Sequence, residues 1–342
     1  MELVNSFEKL TIKKKYGQFF TTNYEYILNG LEINENVKTI IEPFCGSGEL
    51  LKHIKNFENF EKYDIISLDN SIVKRDTLLN PPDYTNKFIL TNPPYLARNK
   101  NPDKSLYDKY NTNDLYKCFI KQIIQNPCTG GIIIIPLNFW CSVRISDIKL
   151  RKEFLEIYNI DKLKIFENQV FEDTSYSVCA FKFVFSNLKK ESIDTIICNK
   201  EILTINLKLN KENNYSIGGE MWNLKQSKYK INRLIEGQKS STNMVIKCID
   251  DKRLINIEVV ADDKIIYDKT PNKSCRTYAT LTTSHPLTIN QQKIIADKFN
   301  SYLLEKRKEY NSLFLTNYRE KNRKRISFDL VYKIVSNLCL EI

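Results

Sequence analysis

The tetrapeptide Asn92-Pro93-Pro94-Tyr95 points more directly to a chemistry than any other part of this sequence. Two consecutive prolines fix φ and remove two N–H donors, so carbonyl oxygens of this turn can face a ligand. The Asn92 side-chain oxygen and the Pro93 carbonyl could accept both hydrogens of a planar, conjugated amine such as that of adenine, and Tyr95 could stack on its ring. The nitrogen lone pair would then point at an electrophile. The turn therefore predicts catalysis by positioning and charge stabilisation, against the alternative of a merely rigid turn.

A glycine turn lies upstream, in the segment from Glu42 through Phe44 and Gly46 to Gly48, after an apolar run and before a helix-forming stretch. Glycines let the backbone approach a ligand at the carboxyl end of a parallel strand, where open α/β sheets bind nucleotides. The chain has only 9 glycines, so the occurrence of two of them within a window of three residues favours a functional role for this turn. A lone Gly-x-Gly is nevertheless as often an ordinary tight turn, so the segment needs support from elsewhere.

Acidic residues downstream supply that support. Asp64 lies in the second strand candidate, and Asp76 ends the third. A carboxylate after the second strand could accept both ribose hydroxyls of a nucleoside, and one after the third could accept an adenine amine. Asp69 competes with Asp64, because the second strand could extend to it. Each aspartate taken singly is more often a solvated loop residue.

The elements that must position these residues follow the alternation of an α/β domain over the first 185 residues. Helices are predicted over Glu49–Asn56, Leu115–Gln125 and Arg151–Tyr158, the middle one from its apolar periodicity. Strands are predicted over Val37–Glu42, Phe60–Ile66, Ser71–Asp76, Lys87–Thr91, the IIIIP run after Gly131, Lys162–Phe166 and Ser177–Phe185. The connection between the last two is too short for a crossover helix, so that pair should be antiparallel.

Together these motifs resemble the γ class of amino-methylating DNA methyltransferases, in which the cofactor motif precedes the catalytic one and target recognition comes last. The family's opening motif matches Gly17-Gln18-Phe19-Phe20-Thr21, after Lys15-Tyr16. The resemblance implies a Rossmann-like, mixed-sheet methyltransferase fold, S-adenosylmethionine as cofactor, no metal, and methylation of N6 of adenine in DNA. It implies catalysis by Asn92, Pro93, Pro94 and Tyr95, and a cofactor site formed by Tyr16, Thr21, Glu42, Phe44, Gly46, Gly48, Asp64, Asp76 and Asn92.

The same resemblance implies a flipped target base held between two aromatic rings. Val170-Phe171 before the SYSVCAF run matches the family segment that stacks on the base, so Phe171 is the proposed partner of Tyr95. Phe166 is the fallback, and plain core packing is the alternative for either residue. The sequence departs from the family in having Glu42 where many relatives have Asp, and in a short spacing between Asp64 and Asp76.

The composition changes after residue 185. The predicted organisation is a catalytic domain over 1–185 and an α+β target-recognition domain over 186–342. A strand-like run at Lys264–Tyr267 and a long helix from a Thr288/Gln291 capping box to about Tyr310 are expected in the second. Base readout is expected within 190–285, including the threonine-rich 277–285 loop.

The net charge of +11 fits a polyanionic partner, although an AT-rich genome gives a similar composition. Lysines and arginines are dense between residues 306 and 325. For Lys306, Arg307 and Lys308, a solvated helix face is an equal alternative. Double-stranded DNA is the predicted partner, with backbone contacts from Arg319, Arg323, Lys324 and Arg325.

Other classes are disfavoured. An odd count of 9 cysteines without a Cys-x-x-Cys, and only 2 histidines, argue for reduced, mostly buried thiols rather than zinc or a serine triad. An intracellular protein without a signal peptide, transmembrane segment or membrane partner is expected. Methylation of a protein glutamine, methylation of adenine in RNA, and DNA binding without activity remain rivals. The resemblance suggests a restriction-modification or viral context, with a separate restriction endonuclease as a candidate partner.

Overall fold

The computed structural model describes residues 16–17, 21, 23–52, 54, 57, 59–67, 69–171, 177–269, 277–315 and 324–342. The chain divides into two compact units. The first contains the described residues up to Trp140 and Arg144–Lys208, and the second contains Cys141–Val143 and the described residues from Leu209 onward.

The first unit is built on a nine-stranded sheet in the order β3-β2-β1-β4-β5-β7-β6-β8-β9. Its strands are β1 Ile40–Glu42, β2 Phe60–Asp64, β3 Val73–Lys74, β4 Phe88–Thr91, β5 Gly130–Pro136, β6 Tyr158–Phe166, β7 Val178–Phe185, β8 Ser192–Cys198 and β9 Ile202–Lys208. Strands β1 to β5 are parallel, whereas β7 runs antiparallel to both β5 and β6. The predicted mixed, Rossmann-like α/β fold and its antiparallel pair are confirmed.

The described residues up to 157 include the helices α1 Tyr24–Leu28, α2 Glu49–Lys52, α3 Ser105–Tyr110, α4 Leu115–Gln125, α5 Asn138–Cys141 and α6 Ile145–Ile157. Helix α4 has the predicted bounds, and its apolar side packs into the core. Helix α6 begins six residues before the predicted start at Arg151. The sequence did not indicate this earlier start, because the buried positions include the polar residues Asp147 and Arg151, which interrupt the apolar periodicity. The predicted end of α2 falls among residues outside the described ranges.

Two further predictions for this unit were wrong. Strand β3 ends at Lys74, so Asp76 lies two residues beyond the strand rather than at its end. Strands β8 and β9 extend the sheet past residue 185, since β8 pairs with β6 and β9 pairs with β8. The boundary between the compact units is therefore at Lys208, and the change in composition after 185 does not mark it.

The second unit has a four-stranded antiparallel sheet in the order β10-β13-β11-β12. Its strands are β10 Ile231–Arg233, β11 Met244–Lys247, β12 Asn256–Val259 and β13 Tyr278–Thr283, and its helices are α7 Ile289–Glu309 and α8 Phe328–Leu338. Helix α7 is fixed to β12 by the Asn300 side chain, which donates to the Ile257 carbonyl and accepts from its N–H. This α+β character confirms the fold class expected for the carboxyl-terminal part.

The capping box at the start of α7 is confirmed, since the Thr288 hydroxyl accepts from the Gln291 N–H and the Gln291 side chain accepts from the Thr288 N–H. The strand-like run at Lys264–Tyr267 is not a strand, because residues 262–264 form a 3₁₀ turn and residues 265–267 are irregular. The described cysteines are all buried free thiols, as expected. None of the helices in the described ranges combines the length and apolarity needed to cross a membrane.

Candidate active site

A cavity of about 410 Å³ opens at the carboxyl ends of β1, β2 and β4. It is the place where open α/β sheets bind ligands, because the connections leave a crevice there. Eight of the nine predicted cofactor residues line it, and Gly48 is the exception. These lining residues are Tyr16, Thr21, Glu42, Phe44, Gly46, Asp64, Asp76 and Asn92.

The glycine turn after β1 forms one wall of the cavity. Gly46 and Gly48 have φ of 55° and 75°, the left-handed conformation that glycine adopts without strain. The turn is tied to β2, because the Gly46 N–H donates to Asp64 Oδ2 at 2.8 Å and the Cys45 N–H donates to the Tyr63 carbonyl at 2.8 Å. Asp64 thus holds the turn in place as well as lining the cavity.

Glu42, at the end of β1, is only 1% exposed, and its Oε2 has no hydrogen-bond partner among the described residues. Burial raises the pKa of this carboxyl well above its usual range, and the charge of Asp64 raises it further. The Cys45 thiol and the Lys62 ammonium oppose the shift. A buried carboxyl with an unused oxygen at a cavity wall is suited to a cationic or hydrogen-bond-donating ligand.

Asp76 and Asp69 are distinguished by their positions. Asp76 lines the cavity, and its Oδ1 accepts from the N–H groups of Leu78 and Leu79 at 3.1 and 3.0 Å. The adjacent Thr77 hydroxyl donates to the Pro43 carbonyl, which joins this loop to the glycine turn. Asp69 is exposed, accepts from the Ser71 N–H, and is not among the lining residues. The geometry favours Asp64 over Asp69 as a ligand-binding carboxylate.

The Asn-Pro-Pro-Tyr turn follows β4 directly, and Asn92 and Pro94 line the same cavity. Asn92 is 8% exposed, and its Nδ2 donates to Thr21 Oγ1 at 3.1 Å. The Tyr95 hydroxyl lies 2.5 Å from Asn92 Oδ1 and 2.7 Å from the Ile134 carbonyl of β5. Burial, with Cys179 and Asp114 nearby, raises the pKa of Tyr95 well above its usual range, so this hydroxyl remains a donor.

The structure does not bring the two predicted stacking rings to the cavity wall. The centroid of the Tyr95 ring lies 5.9 Å from that of Tyr116 in an edge-on contact, and Pro93 within the turn is buried. Phe171 is 3% exposed in the core cluster against which Tyr95 packs. The fallback residue Phe166 is fully buried at the end of β6, 5.5 Å from the Tyr26 ring. Residues 172–176, which follow Phe171, lie outside the described ranges.

Sequence reasoning missed Asp114, which holds the residue that follows the Asn-Pro-Pro-Tyr turn. Its Oδ1 accepts from the Leu96 N–H at 3.1 Å, immediately after Tyr95. Burial raises the pKa of this carboxyl to about 7, although Lys117 acts in the opposite direction. An aspartate directly before the first residue of α4 is a helix-start signal that could have drawn attention to it.

The basic residues predicted to contact DNA differ in their surroundings in the structure. Lys306 pairs with Glu220 at 3.0 Å and Glu309 at 2.6 Å, and Arg307 pairs with Asp250 at 2.7 Å. These ion pairs favour a structural role for Lys306 and Arg307 over contact with DNA. Lys324 and Arg325 are half-buried, and Lys324 Nζ donates to the Asn311 carbonyl at 3.4 Å. The predicted contacts from Arg319 and Arg323 lie outside the described residues.

The first part of the chain is similar to a known family. Residues 7–171 match the Eco57I restriction-modification methylase family. The match contains both the glycine turn and the Asn-Pro-Pro-Tyr turn, and it confirms the resemblance to restriction-modification methyltransferases. No curated protein sequence shows significant similarity to the chain.

Solved structures from restriction-modification systems resemble part of the chain. A modification subunit ascribed to a type I restriction enzyme from Vibrio vulnificus YJ016 gives a TM-score of 0.43 at 15% identity, covering 54% of this chain and 48% of its own. A type I methyltransferase subunit from Streptococcus thermophilus gives 0.42 at 17%, covering 59% and 50%. The type IIL enzyme MmeI, solved with DNA, gives 0.41 at 12%, covering 70% and 43%. The chain therefore spans half or less of each of these proteins.

Proposed function

We propose that the chain is an S-adenosylmethionine-dependent, site-specific DNA methyltransferase that acts on N6 of adenine in a short duplex target. The observation that carries the proposal is the presence of Asn92 and Pro94 in one cavity with Glu42, Asp64 and Asp76. An amine-binding turn and a set of carboxylates suited to a cationic nucleoside meet there, at the carboxyl edge of a parallel sheet.

The residues present fit the cofactor. The unused, buried oxygen of Glu42 suits the ammonium of its methionine part. Asp64 would accept from the ribose hydroxyls, since it lines the cavity and a carboxylate oxygen can accept more than one hydrogen bond. Asp76 would accept from the adenine amine. Phe44 offers an apolar face, and the remaining proposed contacts are those of Tyr16, Thr21, Gly46 and Gly48.

S-adenosylmethionine supplies a methyl group activated by its positively charged sulfur. Asn92 Oδ1 and the Pro93 carbonyl would accept the two hydrogens of the target amine and favour a tetrahedral nitrogen whose lone pair faces that methyl. The same two oxygens would also stabilise the positive charge that the target nitrogen acquires on methylation. Asn92 cannot take the surplus proton, which passes to water after transfer.

The substrate assignment rests on residues beyond the turn. A target base held between Tyr95 and Phe171 requires both rings to become accessible, since Phe171 is buried in the core cluster and Tyr95 packs against that cluster. Lys324 and Arg325, with Arg319 and Arg323, are the proposed contacts to the DNA backbone. We assign target recognition to the second unit. Methylation would protect the target from cleavage by a separate restriction endonuclease, the proposed partner.

The test is to incubate the protein with cofactor labelled in the methyl group and with duplex DNA, RNA or a protein extract. Label recovered as N6-methyladenine in duplex DNA is expected. Asn92→Ala should lower the rate of methylation by about 10²-fold or more while cofactor binding persists, because the variant has no side-chain oxygen to accept from the target amine. Label in RNA or in glutamine side chains, with none in DNA, would show that the substrate assignment is wrong.

A further inference from the structure

The amino-terminal segment contacts the catalytic turn at both of its ends. Thr21 Oγ1 accepts a hydrogen bond from Asn92 Nδ2 at 3.1 Å, and the Gly17 carbonyl accepts one from the Tyr95 N–H at 2.8 Å. These contacts join residues more than 70 positions apart along the chain, and residues 18–20 between them lie outside the described ranges. The segment therefore acts on the turn itself as well as on the cavity that Tyr16 and Thr21 line.

The contact at Thr21 fixes the Asn92 amide. The last torsion of an asparagine side chain is broad, so its orientation depends on the groups around it. Here both ends of the amide meet hydroxyl groups, with Thr21 at Nδ2 and Tyr95 at Oδ1. Both Thr21 and Asn92 are buried, at 5% and 8% exposure. Water can therefore not easily replace the Thr21 oxygen, and a buried N–H without a partner would drive the amide to another orientation.

The contact at Gly17 requires glycine. Its φ is 67°, and an added Cβ would lie 2.6 Å from the Tyr95 carbonyl oxygen and 2.9 Å from Leu96 Cβ. A side chain at this position would be strained in its own backbone and would push Tyr95 and Leu96 away. The close approach of the two backbones sets the position of Tyr95 relative to the cavity.

We propose that Thr21 is a positioning residue for methyl transfer, holding the Asn92 amide in its catalytic orientation, with Gly17 seating the other end of the turn. This proposal rests on the proposed function above. It differs from a simple cofactor contact, because a cofactor contact affects the cofactor Kd, whereas a disturbed orientation affects the rate of the chemical step.

Three variants test it. Thr21→Val removes the oxygen at nearly constant volume, Thr21→Ser keeps it, and Thr195→Val is a matched control at a buried threonine of β8 that does not line the cavity. The readouts are the single-turnover rate of methyl transfer at saturating cofactor and DNA, and the cofactor Kd by calorimetry. We expect Thr21→Val to slow transfer by about 10²-fold with little change in Kd. Thr21→Ser should restore most of the rate that Thr21→Val loses, because it keeps the hydroxyl, and Thr195→Val should stay close to the wild-type rate.

Folding is monitored by thermal unfolding of each variant. If Thr21→Val does not fold, Thr21→Cys replaces it, since a thiol is a much weaker acceptor than a hydroxyl, and the same slowing is expected. Gly17→Ala should also slow transfer. A Thr21→Val variant with an unchanged single-turnover rate, or with a defect that lies entirely in the cofactor Kd, would overturn the inference. A wild-type protein that does not methylate DNA would instead contradict the proposed function.

Discussion

Glu42 carries a carboxyl group that is almost fully buried, lines the cavity, and leaves one oxygen without a partner in the described structure. Its pKa is raised well above the ordinary value of 4.5 by burial and by Asp64, against Cys45 and Lys62. A bound ammonium group would favour the ionised carboxylate. In the protein without cofactor, the proton must therefore leave Glu42 before a cation can pair with it.

The first residue-scale prediction concerns the pH dependence of cofactor binding. Below the raised pKa of Glu42, the cofactor Kd should increase as the pH falls, by up to about tenfold per pH unit, because binding displaces a proton. Glu42→Gln should bind more weakly at the upper end of the range and lose most of the pH dependence. Calorimetric titrations over a pH series measure both, and an unchanged pH profile in Glu42→Gln would contradict the assignment.

The raised pKa of Glu42 also determines how this residue makes the stability of the fold depend on pH. A carboxyl whose pKa is raised in the folded state stabilises the fold below its unfolded pKa, and this contribution is lost as the pH rises through the folded value. The cofactor-free protein should therefore gain stability from Glu42→Gln above that value. Such a gain would separate the electrostatic cost of Glu42 from a packing role.

At the residue scale, the sequence was informative where a residue type has few alternative uses. Paired prolines after an asparagine, and two glycines after a buried strand, identified the turns that line the cavity. The positions of Phe171 and Asp114 were less accessible, because an aromatic residue or an aspartate has many ordinary uses. Only the tertiary contacts show that Phe171 is packed in the core and that Asp114 accepts from Leu96.

Among the elements, helices α4 and α6 are joined by a buried ion pair. Lys117 Nζ lies 2.6 Å from Asp147 Oδ1, and the two side chains are only 4% and 2% exposed. Burial lowers the pKa of Lys117, whereas the charge of Asp147 raises it. Lys117 also donates to Asn113, which directly precedes Asp114, so the ion pair is connected to the segment that holds the end of the Asn-Pro-Pro-Tyr turn.

Lys117→Met should lower the free energy of unfolding by about 3–5 kcal/mol, because it removes the Lys117 ammonium from beside a buried carboxylate. The double variant Lys117→Met with Asp147→Leu should recover most of that stability, since two apolar side chains carry no buried charge. Denaturant unfolding followed by circular dichroism measures both.

The matched control for this pair is Lys152→Met on the same helix α6, where the pair with Glu156 is exposed at 3.6 Å. Its effect should stay below about 1 kcal/mol. A Lys117→Met variant as stable as this control would show that the buried pair does not hold the two helices together.

The strands that could be predicted from the sequence are those whose apolar residues form an uninterrupted run. Strands β4 and β5 are buried at every position, and such strands read as continuous apolar runs. Strand β9 is exposed at most positions, and β8 carries polar residues on both faces. Neither strand therefore appears in the sequence as a continuous apolar run. Helix α8 was missed although its start is marked by Ser327, whose hydroxyl accepts from the Leu330 N–H.

On the scale of the whole molecule, the +11 charge is not all available to a partner. Lys306 and Arg307 are committed to carboxylates of the second unit, which shows that a dense basic segment can be partly structural. The proposed DNA contacts therefore rest on the residues from 317 to 327, most of which lie outside the described ranges.

Neutralising Arg323, Lys324 and Arg325 together should weaken binding to all duplex sequences and reduce the salt slope of log K by about 0.9 for each DNA phosphate that the protein no longer neutralises. Fluorescence anisotropy over a salt series measures the slope. A control that neutralises the exposed lysines Lys252, Lys264 and Lys293 of the second unit should change it less. Equal slopes in the two triple variants would contradict a specific role for the 317–327 segment.

The pairing of β6 with β8 has a practical consequence for dividing the chain. A chain cut after Phe185 would lack β8 and β9 and expose five consecutive paired positions of β6, from Lys162 to Phe166, as an open hydrogen-bonding edge. Open apolar edges recruit other chains, so that fragment should aggregate. A fragment ending at Lys208 keeps the edge covered, and it is the piece in which the proposed methyl transfer can be tested separately from the proposed target recognition.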